Sequence, residues 1–155
     1  MIKVINKVLD ELRIYIIFLI ENLPGHIGFF LRRHITLFFL KKKGRNIYIG
    51  QMNKFDKMKN IEIGDNFKSL HSCTFYANDG LIKIGKNVAF NFNVCINSAE
   101  GGEIIIEDDV LISPNVVIRA ADHNYFDTKQ PINRQGHTGG RIIIKKGSWI
   151  CSNSV

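Results

Sequence analysis

Two patterns of apolar positions divide this chain near residue 46. Before that point, apolar residues return at helical spacing over residues 5–19, and a second apolar run covers residues 27–40. The pair Pro24-Gly25 separates the two runs, as expected for a turn. Residues 1–45 are therefore predicted to form an amphipathic helical hairpin.

Beyond residue 46 a short β-branched motif recurs, and a turn follows each copy. The motif is Ile-x-Ile-Gly or a close variant, and its copies begin at residues 47, 61, 82, 104 and 142. Ile63, Ile84 and Ile106 in successive copies are 21 and then 22 positions apart. Such self-similarity at a fixed interval is typical of a solenoid, in which each repeat forms one coil.

Within the repeats a large apolar residue also returns after six positions. The pairs are Val88 and Val94, Val110 and Val116, and Trp149 and Val155. A six-residue period grouped in threes predicts coils of about 18 residues with three flat faces, in which these residues point inward. A β-sandwich would instead show polar and apolar residues alternating over longer strands. Residues 46–155 are therefore predicted to form a mainly β fold, a parallel β-helix.

One long excursion interrupts the repeat. Ile106 and Ile144 are 38 positions apart, which corresponds to one coil and a loop of about twenty residues at 119–141. His123 lies at the base of this loop, where a rigid coil could hold a general base. His137, near the far end, is predicted to be a solvated residue. Other loop side chains could bind a polyol: Asp122, Asn124, Asp127, Asn133, Arg134 and Gln135.

The positive charge of the chain is concentrated at its N-terminus. Residues 1–46 hold nine Lys or Arg and three Asp or Glu, whereas the remainder is almost balanced. Neither apolar run reaches the ~20 residues that a membrane span needs, and no signal-peptide cleavage site follows. Two interpretations of residues 1–45 remain open: a hairpin that caps the β-helix, or one that contacts anionic lipid through its basic residues. Those residues are Arg32, Arg33, Lys41, Lys42, Lys43 and Arg45. No nucleic-acid-binding motif accompanies the charge.

The three cysteines, Cys73, Cys95 and Cys151, form no CxxC pair and no zinc-ligand pattern. We expect reduced thiols in a cytoplasmic protein.

Several stretches resemble the galactoside, maltose and polysaccharide O-acetyltransferases of the hexapeptide-repeat superfamily. They are Asn91-Phe-Asn93, the run from Ile106 to Val116, Asp122-His123, Ile142-Ile-Ile144, and Trp149-Ile150. Residues 23–33 are similar to the lead-in of the branch that acts in capsule, exopolysaccharide and lipopolysaccharide synthesis. The resemblance implies a left-handed parallel β-helix, assembly as a homotrimer with active sites between subunits, and acetyl transfer from acetyl-CoA to a sugar hydroxyl without a metal.

The resemblance also implies residue roles. His123 would deprotonate the acceptor hydroxyl, and Asn93 would orient it, with Asp122 and Asn124 as further substrate-binding candidates. Trp149 would lie beside the pantetheine arm of the cofactor, and the backbone N–H of Ser152 would stabilise the thioester oxyanion. We further expect a cytoplasmic location, with peripheral contact at the inner face of the membrane.

The sequence departs from that family after the Trp-Ile pair. The family pattern continues with a glycine and further coils that contact the cofactor, whereas this sequence has Cys151 and ends at Val155. We therefore expect a C-terminally truncated member of the family. The alternative is a non-catalytic β-helix remnant or scaffold that lacks the coils for CoA binding.

Overall fold

The computed structural model describes residues 2–155, with side chains from Asn6 onward. Two helices, α1 (Ile2–Asn22) and α2 (Gly25–Phe39), precede sixteen short strands. The strands are β1 (Lys42–Lys43), β2 (Tyr48–Ile49), β3 (Lys54–Asp56), β4 (Ile61–Ile63), β5 (Lys68–Ser69), β6 (Thr74–Tyr76), β7 (Leu81–Ile84), β8 (Ala89–Phe90), β9 (Cys95–Asn97), β10 (Glu103–Ile106), β11 (Leu111–Ile112), β12 (Val117–Arg119), β13 (Ala121–His123), β14 (His137–Gly139), β15 (Arg141–Ile144) and β16 (Trp149–Ile150). Single helical turns occur at Met58–Asn60 and Ile132–Arg134.

Three parallel sheets form the walls of a β-solenoid of about four turns, which confirms the predicted mainly β fold. The first sheet has the order β1-β4-β7-β10-β15, the second β16-β11-β8-β5-β2, and the third β12-β9-β6-β3. Each of the first four coils contributes one strand to each sheet in turn, and the last turn adds β15 and β16 to the first two sheets. Backbone hydrogen bonds therefore run between coils, and each coil is stabilised by its neighbours.

The isoleucines of the repeat stack in register. Ile63 pairs with Ile84, Ile84 with Ile106, and Ile106 with Ile144, as the repeat interval predicts. These side chains are buried and form one continuous core with the valines of the six-residue period. The largest fully buried side chains of this core are Phe67, Phe75 and Phe90.

One prediction from the six-residue period was wrong. Trp149 and Val155 were predicted to point inward, but Trp149 is 67% exposed and Val155 is also on the surface. Trp149 pairs with Leu111, an outward position, so Ser148 occupies the place of the inward Val110 one coil earlier. Side chains alternate between the two faces of a strand, and a shift of one residue therefore moves an indole from the core to the surface.

Asparagines line one corner of the solenoid, where the first sheet turns into the second. Asn46, Asn66, Asn87 and Asp109 all have left-handed backbone angles, a conformation that asparagine and aspartate adopt more readily than other residues with side chains. Their side chains form a ladder: Asn46 donates to Asn66 at 3.1 Å, Asn66 to Asn87 at 2.9 Å, and Asn87 to Asp109 at 2.8 Å. This ladder fixes the spacing between coils at the corner.

The predicted helices are present, and α2 packs against the first coil. Buried Arg32 donates to the carbonyl oxygens of Leu23, at 2.6 Å, and Ile49, at 3.4 Å, and thereby joins the interhelical turn to the solenoid. Strand β1 pairs with β4, so the first sheet begins at Lys42, inside the segment that the sequence assigned to the hairpin.

Candidate functional site

The long loop begins and ends as a two-stranded antiparallel hairpin. It leaves the solenoid directly after β12, and β13 pairs with β14. The hairpin base is tied to the coils, because Gly140 N–H donates to Ala120 and Glu103 N–H donates to Gly140. Gly139 lies so close to the previous corner that a Cβ there would overlap the Glu100 carbonyl oxygen. The hairpin is thus anchored on backbone that the core holds rigid.

Two imidazoles face each other on this hairpin. His123 and His137 are directly opposite in the register, their ring centroids are 3.9 Å apart, and their Nε2 atoms are 3.2 Å apart. At that distance one Nε2 carries hydrogen and donates, while the other accepts. Neither Nδ1 has a hydrogen-bond partner among the described residues. His123 itself is exposed, so a solute can reach its ring.

The other loop candidates lie elsewhere on the hairpin. Thr138 is paired with Asp122 and donates to Asn124 Oδ1 at 2.7 Å. Because side chains alternate across a strand, Asp122, Asn124 and Thr138 share the face opposite to the two imidazoles. Asn124 also donates to the Gln135 carbonyl at 3.0 Å, so both ends of its amide hold the loop together. The substrate-binding roles of Asp122 and Asn124 stay predictions.

The tip of the loop is organised by its own polar residues. Gln135 donates to the carbonyl oxygens of Asp127, at 2.8 Å, and Gln130, at 2.9 Å, and its Oε1 accepts from the Asp127 N–H. These groups stabilise the loop shape. Asn133 and Arg134 are exposed beside them.

Asn93, Trp149 and Ser152 lie near a different corner, where the second sheet turns into the third. Asn93 has a left-handed backbone and donates to Asn115 at 2.9 Å, in a second ladder of side-chain amides. The Trp149 indole N–H donates to Ser113 Oγ at 2.7 Å, and its ring stands on the outer surface next to Leu111. Ser152 lies in the exposed turn that follows β16.

Within one chain, these residues and the His123 hairpin lie near opposite ends of β12. Strand β12 separates the corner at Asn115 from the hairpin at Ala121, and six residues of extended chain span roughly 20 Å. The hairpin group holds His123, and the corner group holds Trp149 and Ser152. A single copy thus carries two candidate half-sites at different corners of the solenoid.

Cys73 is not a candidate nucleophile. Burial raises the pKa of its thiol to about 11, and the side chain lies in the core. Cys151 is exposed in the turn after β16.

Sequence reasoning overlooked His137, which was predicted to be a solvated residue. A signal was present: His123 follows Arg119 by four positions, and His137 precedes Arg141 by four. When the two ends of a loop pair as antiparallel strands, residues at equal distances from those ends lie opposite each other. The six-residue period of the solenoid carries no such information.

Comparisons with known proteins concern the fold. The chain is similar to AntD, an N-acyltransferase from Bacillus cereus whose crystal structure contains dTDP and 3-hydroxybutyryl-CoA (TM-score 0.67, 19% identity, 81% of this chain and 67% of that one). It is also similar to a maltose O-acetyltransferase from Clostridium difficile 630 (TM-score 0.61, 22% identity, 89% of this chain and 73% of that one). Comparison with protein-family models gave no match, and comparison with curated protein sequences gave none.

Proposed function

We propose that this protein is a CoA-dependent O-acyltransferase that uses His123 as general base. The observation that carries the proposal is the exposed His123–His137 pair, held on a hairpin that is anchored to a core strand. The fold shared with two acyltransferases supports it, and the AntD structure contains an acyl-CoA. We take acetyl as the acyl group, and a sugar of surface polysaccharide or lipopolysaccharide synthesis as the acceptor, from the sequence resemblance.

The pairing of the imidazoles suggests which atom receives the proton. While the Nε2–Nε2 bond is intact and His123 donates in it, the free lone pair of His123 is on Nδ1. The acceptor hydroxyl would give its proton to that Nδ1 as its oxygen attacks the thioester carbonyl. His137 would meanwhile accept from Nε2–H and stabilise the imidazolium. When the C–S bond breaks, the CoA thiolate takes the proton back, and the enzyme returns unchanged.

The donor would lie along the outer surface near the other corner. Exposed Leu111 and Trp149 form an apolar strip where a pantetheine arm could pack. The turn at Ser152 would supply a backbone N–H to the tetrahedral oxyanion, a contribution of about 10²–10³-fold in rate where such donors have been removed. Asn93 would orient the acceptor from the same corner.

A complete site would then need two copies. Because the half-sites lie roughly 20 Å apart on one rigid prism, the hairpin of one copy would have to meet the corner of a neighbour. A homotrimer closes such a heterologous contact into a ring. We therefore propose a trimer with one site at each interface, and a cytoplasmic enzyme.

Co-expression of two inactive variants tests this arrangement. His123→Ala lacks the base, and Trp149→Ala lacks the donor contact. In mixed trimers about a quarter of the interfaces combine an intact hairpin with an intact corner. Activity near a quarter of the wild-type value is expected. Activity no higher than that of the separate variants would reject the shared site.

Thiol release from acetyl-CoA and 3-hydroxybutyryl-CoA, with monosaccharide and nucleotide-sugar acceptors, tests the activity itself. His123→Ala should lower turnover by about 10²–10⁴-fold, the usual contribution of a general base. Lys59→Ala, an exposed change on the first coil, should leave turnover unchanged. If calorimetry detects no binding of millimolar acetyl-CoA to the wild-type protein, the catalytic proposal fails and a non-catalytic scaffold is the better interpretation.

A further inference from the structure

Helix α1 exposes apolar side chains around its whole circumference. Residues 14–20 are seven consecutive apolar residues, and at 3.6 residues per turn they cover almost two full turns. Ile14 is 64% exposed and Ile16 is 56% exposed, although residues two positions apart lie on opposite sides of a helix. Helix α2 adds exposed apolar residues, among them Ile27, Phe30 and Phe38. We call the exposed apolar residues of both helices the hairpin surface.

The solenoid does not cover this surface. A groove of about 1020 Å³ separates α1 from the first coil, and Leu12, Ile16, Phe39 and Phe55 line it. Leu12 and Ile16 remain more than half exposed although they face this groove. Monomeric soluble proteins rarely leave so large a contiguous apolar area open. A surface of this kind is typical of one that contacts a membrane or another chain.

Unpaired cations lie beside the hairpin. Lys42 and Lys43, in the first strand after α2, are both exposed and have no ion-pair partner among the described side chains. Arg13 adds a further exposed cation on α1 itself. The basic excess of the chain thus borders its most apolar surface.

We propose that the hairpin surface docks on an anionic lipid bilayer. A helix that is apolar on all sides suits immersion in the interfacial region, about 5–10 Å deep, and the cations next to it would contact anionic headgroups. A seam between copies of the chain would need only one apolar stripe on α1 and no cations. In residues 2–155 no helix has an apolar stretch long enough to span a bilayer. The contact that we propose lies at the membrane surface. This inference does not depend on the acyltransferase proposal.

Sedimentation of the full chain with vesicles tests the docking. Vesicles of phosphatidylcholine alone are compared with vesicles that also contain 30% phosphatidylglycerol (about a third anionic, enough for a negative surface potential), at low and high salt. The double variant Lys42→Gln/Lys43→Gln should weaken partitioning onto the anionic vesicles about 25-fold, roughly fivefold for each cation. Lys129→Gln/Arg134→Gln, in the distant loop, removes the same charge and should have no effect.

A second pair of variants tests the apolar contact. Ile14→Ser/Phe18→Ser should reduce binding to background, whereas Phe126→Ser/Ile132→Ser, which removes exposed apolar residues of the loop tip, should bind like wild type. The absence of binding to anionic vesicles at low salt would overturn the proposal. So would a soluble oligomer that Ile14→Ser/Phe18→Ser dissociates, because the surface would then be an interface between copies.

Discussion

Removal of His137 probes the proposed chemistry most directly. In the structure its Nε2 lies 3.2 Å from that of His123. In the proposed transition state this contact is a hydrogen bond from a positively charged imidazolium. Hydrogen bonds to charged groups contribute about 1.5–3 kcal/mol, and each 1.36 kcal/mol of barrier corresponds to a factor of ten in rate. His137→Ala should therefore slow turnover by about 10- to 150-fold.

The kinetic pattern separates this positioning role from a structural one. The bond strengthens only as charge develops on His123, so kcat should fall while the KM values for donor and acceptor stay near those of the wild type. His137→Gln places an amide where it can accept from His123 Nε2–H, and should recover most of the lost rate. Thermal unfolding of all three proteins checks that the hairpin variants remain folded.

Three results would refute the reasoning. If His137→Ala retains at least a third of wild-type kcat, His137 does not stabilise the imidazolium. If the variant is faster than wild type, the acceptor hydroxyl must displace His137 and give its proton to His123 Nε2. If His137→Gln is as slow as His137→Ala, the hydrogen bond is not the cause of the loss.

Three further changes test the anchoring, the corners and the charges. Gly139→Ala should lower activity by up to about 10²-fold, because its Cβ meets the Glu100 carbonyl and shifts the hairpin; in the Gly140→Ala control the Cβ has room, and activity should persist. Asn87→Ala should destabilise the fold by about 2–3 kcal/mol in urea unfolding, through two lost hydrogen bonds and a left-handed backbone, whereas Asn87→Gly should lose less, since glycine tolerates that backbone. The hydrogen bond from Lys41 lowers the pKa of Glu62, so its stabilisation is present above the ordinary value of 4.5 and is lost as pH falls below it. Glu62→Gln should flatten the decline of Tm in that acid range.

The fold could be predicted because a solenoid repeats its own register. Ile63, Ile84 and Ile106 stand at the same point of successive coils, so their spacing in the sequence is the circumference of a coil. The same reasoning failed at Trp149 because the inward place of its coil is taken by Ser148. The large apolar residue nearest to that place in the sequence is Trp149, which points outward. Hydrophobic pattern alone does not reveal a small polar residue at a core position.

The arrangement of the candidate site could be predicted only in part. His123 was identifiable since a polar loop interrupts a regular repeat next to it. Its partner was not, because an antiparallel hairpin pairs residues 14 positions apart, outside the coil period. Asn93 illustrates a second limit. Its amide belongs to a ladder with Asn115, and that contact depends on the stacking of coils and not on neighbouring residues in sequence.

The stiffness of the solenoid makes the separation of the half-sites informative. Backbone hydrogen bonds join Asn115 to the coil below, and others hold the hairpin base at Ala120. Closing roughly 20 Å between the two groups within one copy would break such bonds in several coils, and packed cores of this kind do not deform continuously. A flexible enzyme could bring distant groups together by closure, but this scaffold cannot. We propose that a second copy supplies one of these two groups to each site, and mixed assemblies of the His123→Ala and Trp149→Ala variants test this arrangement.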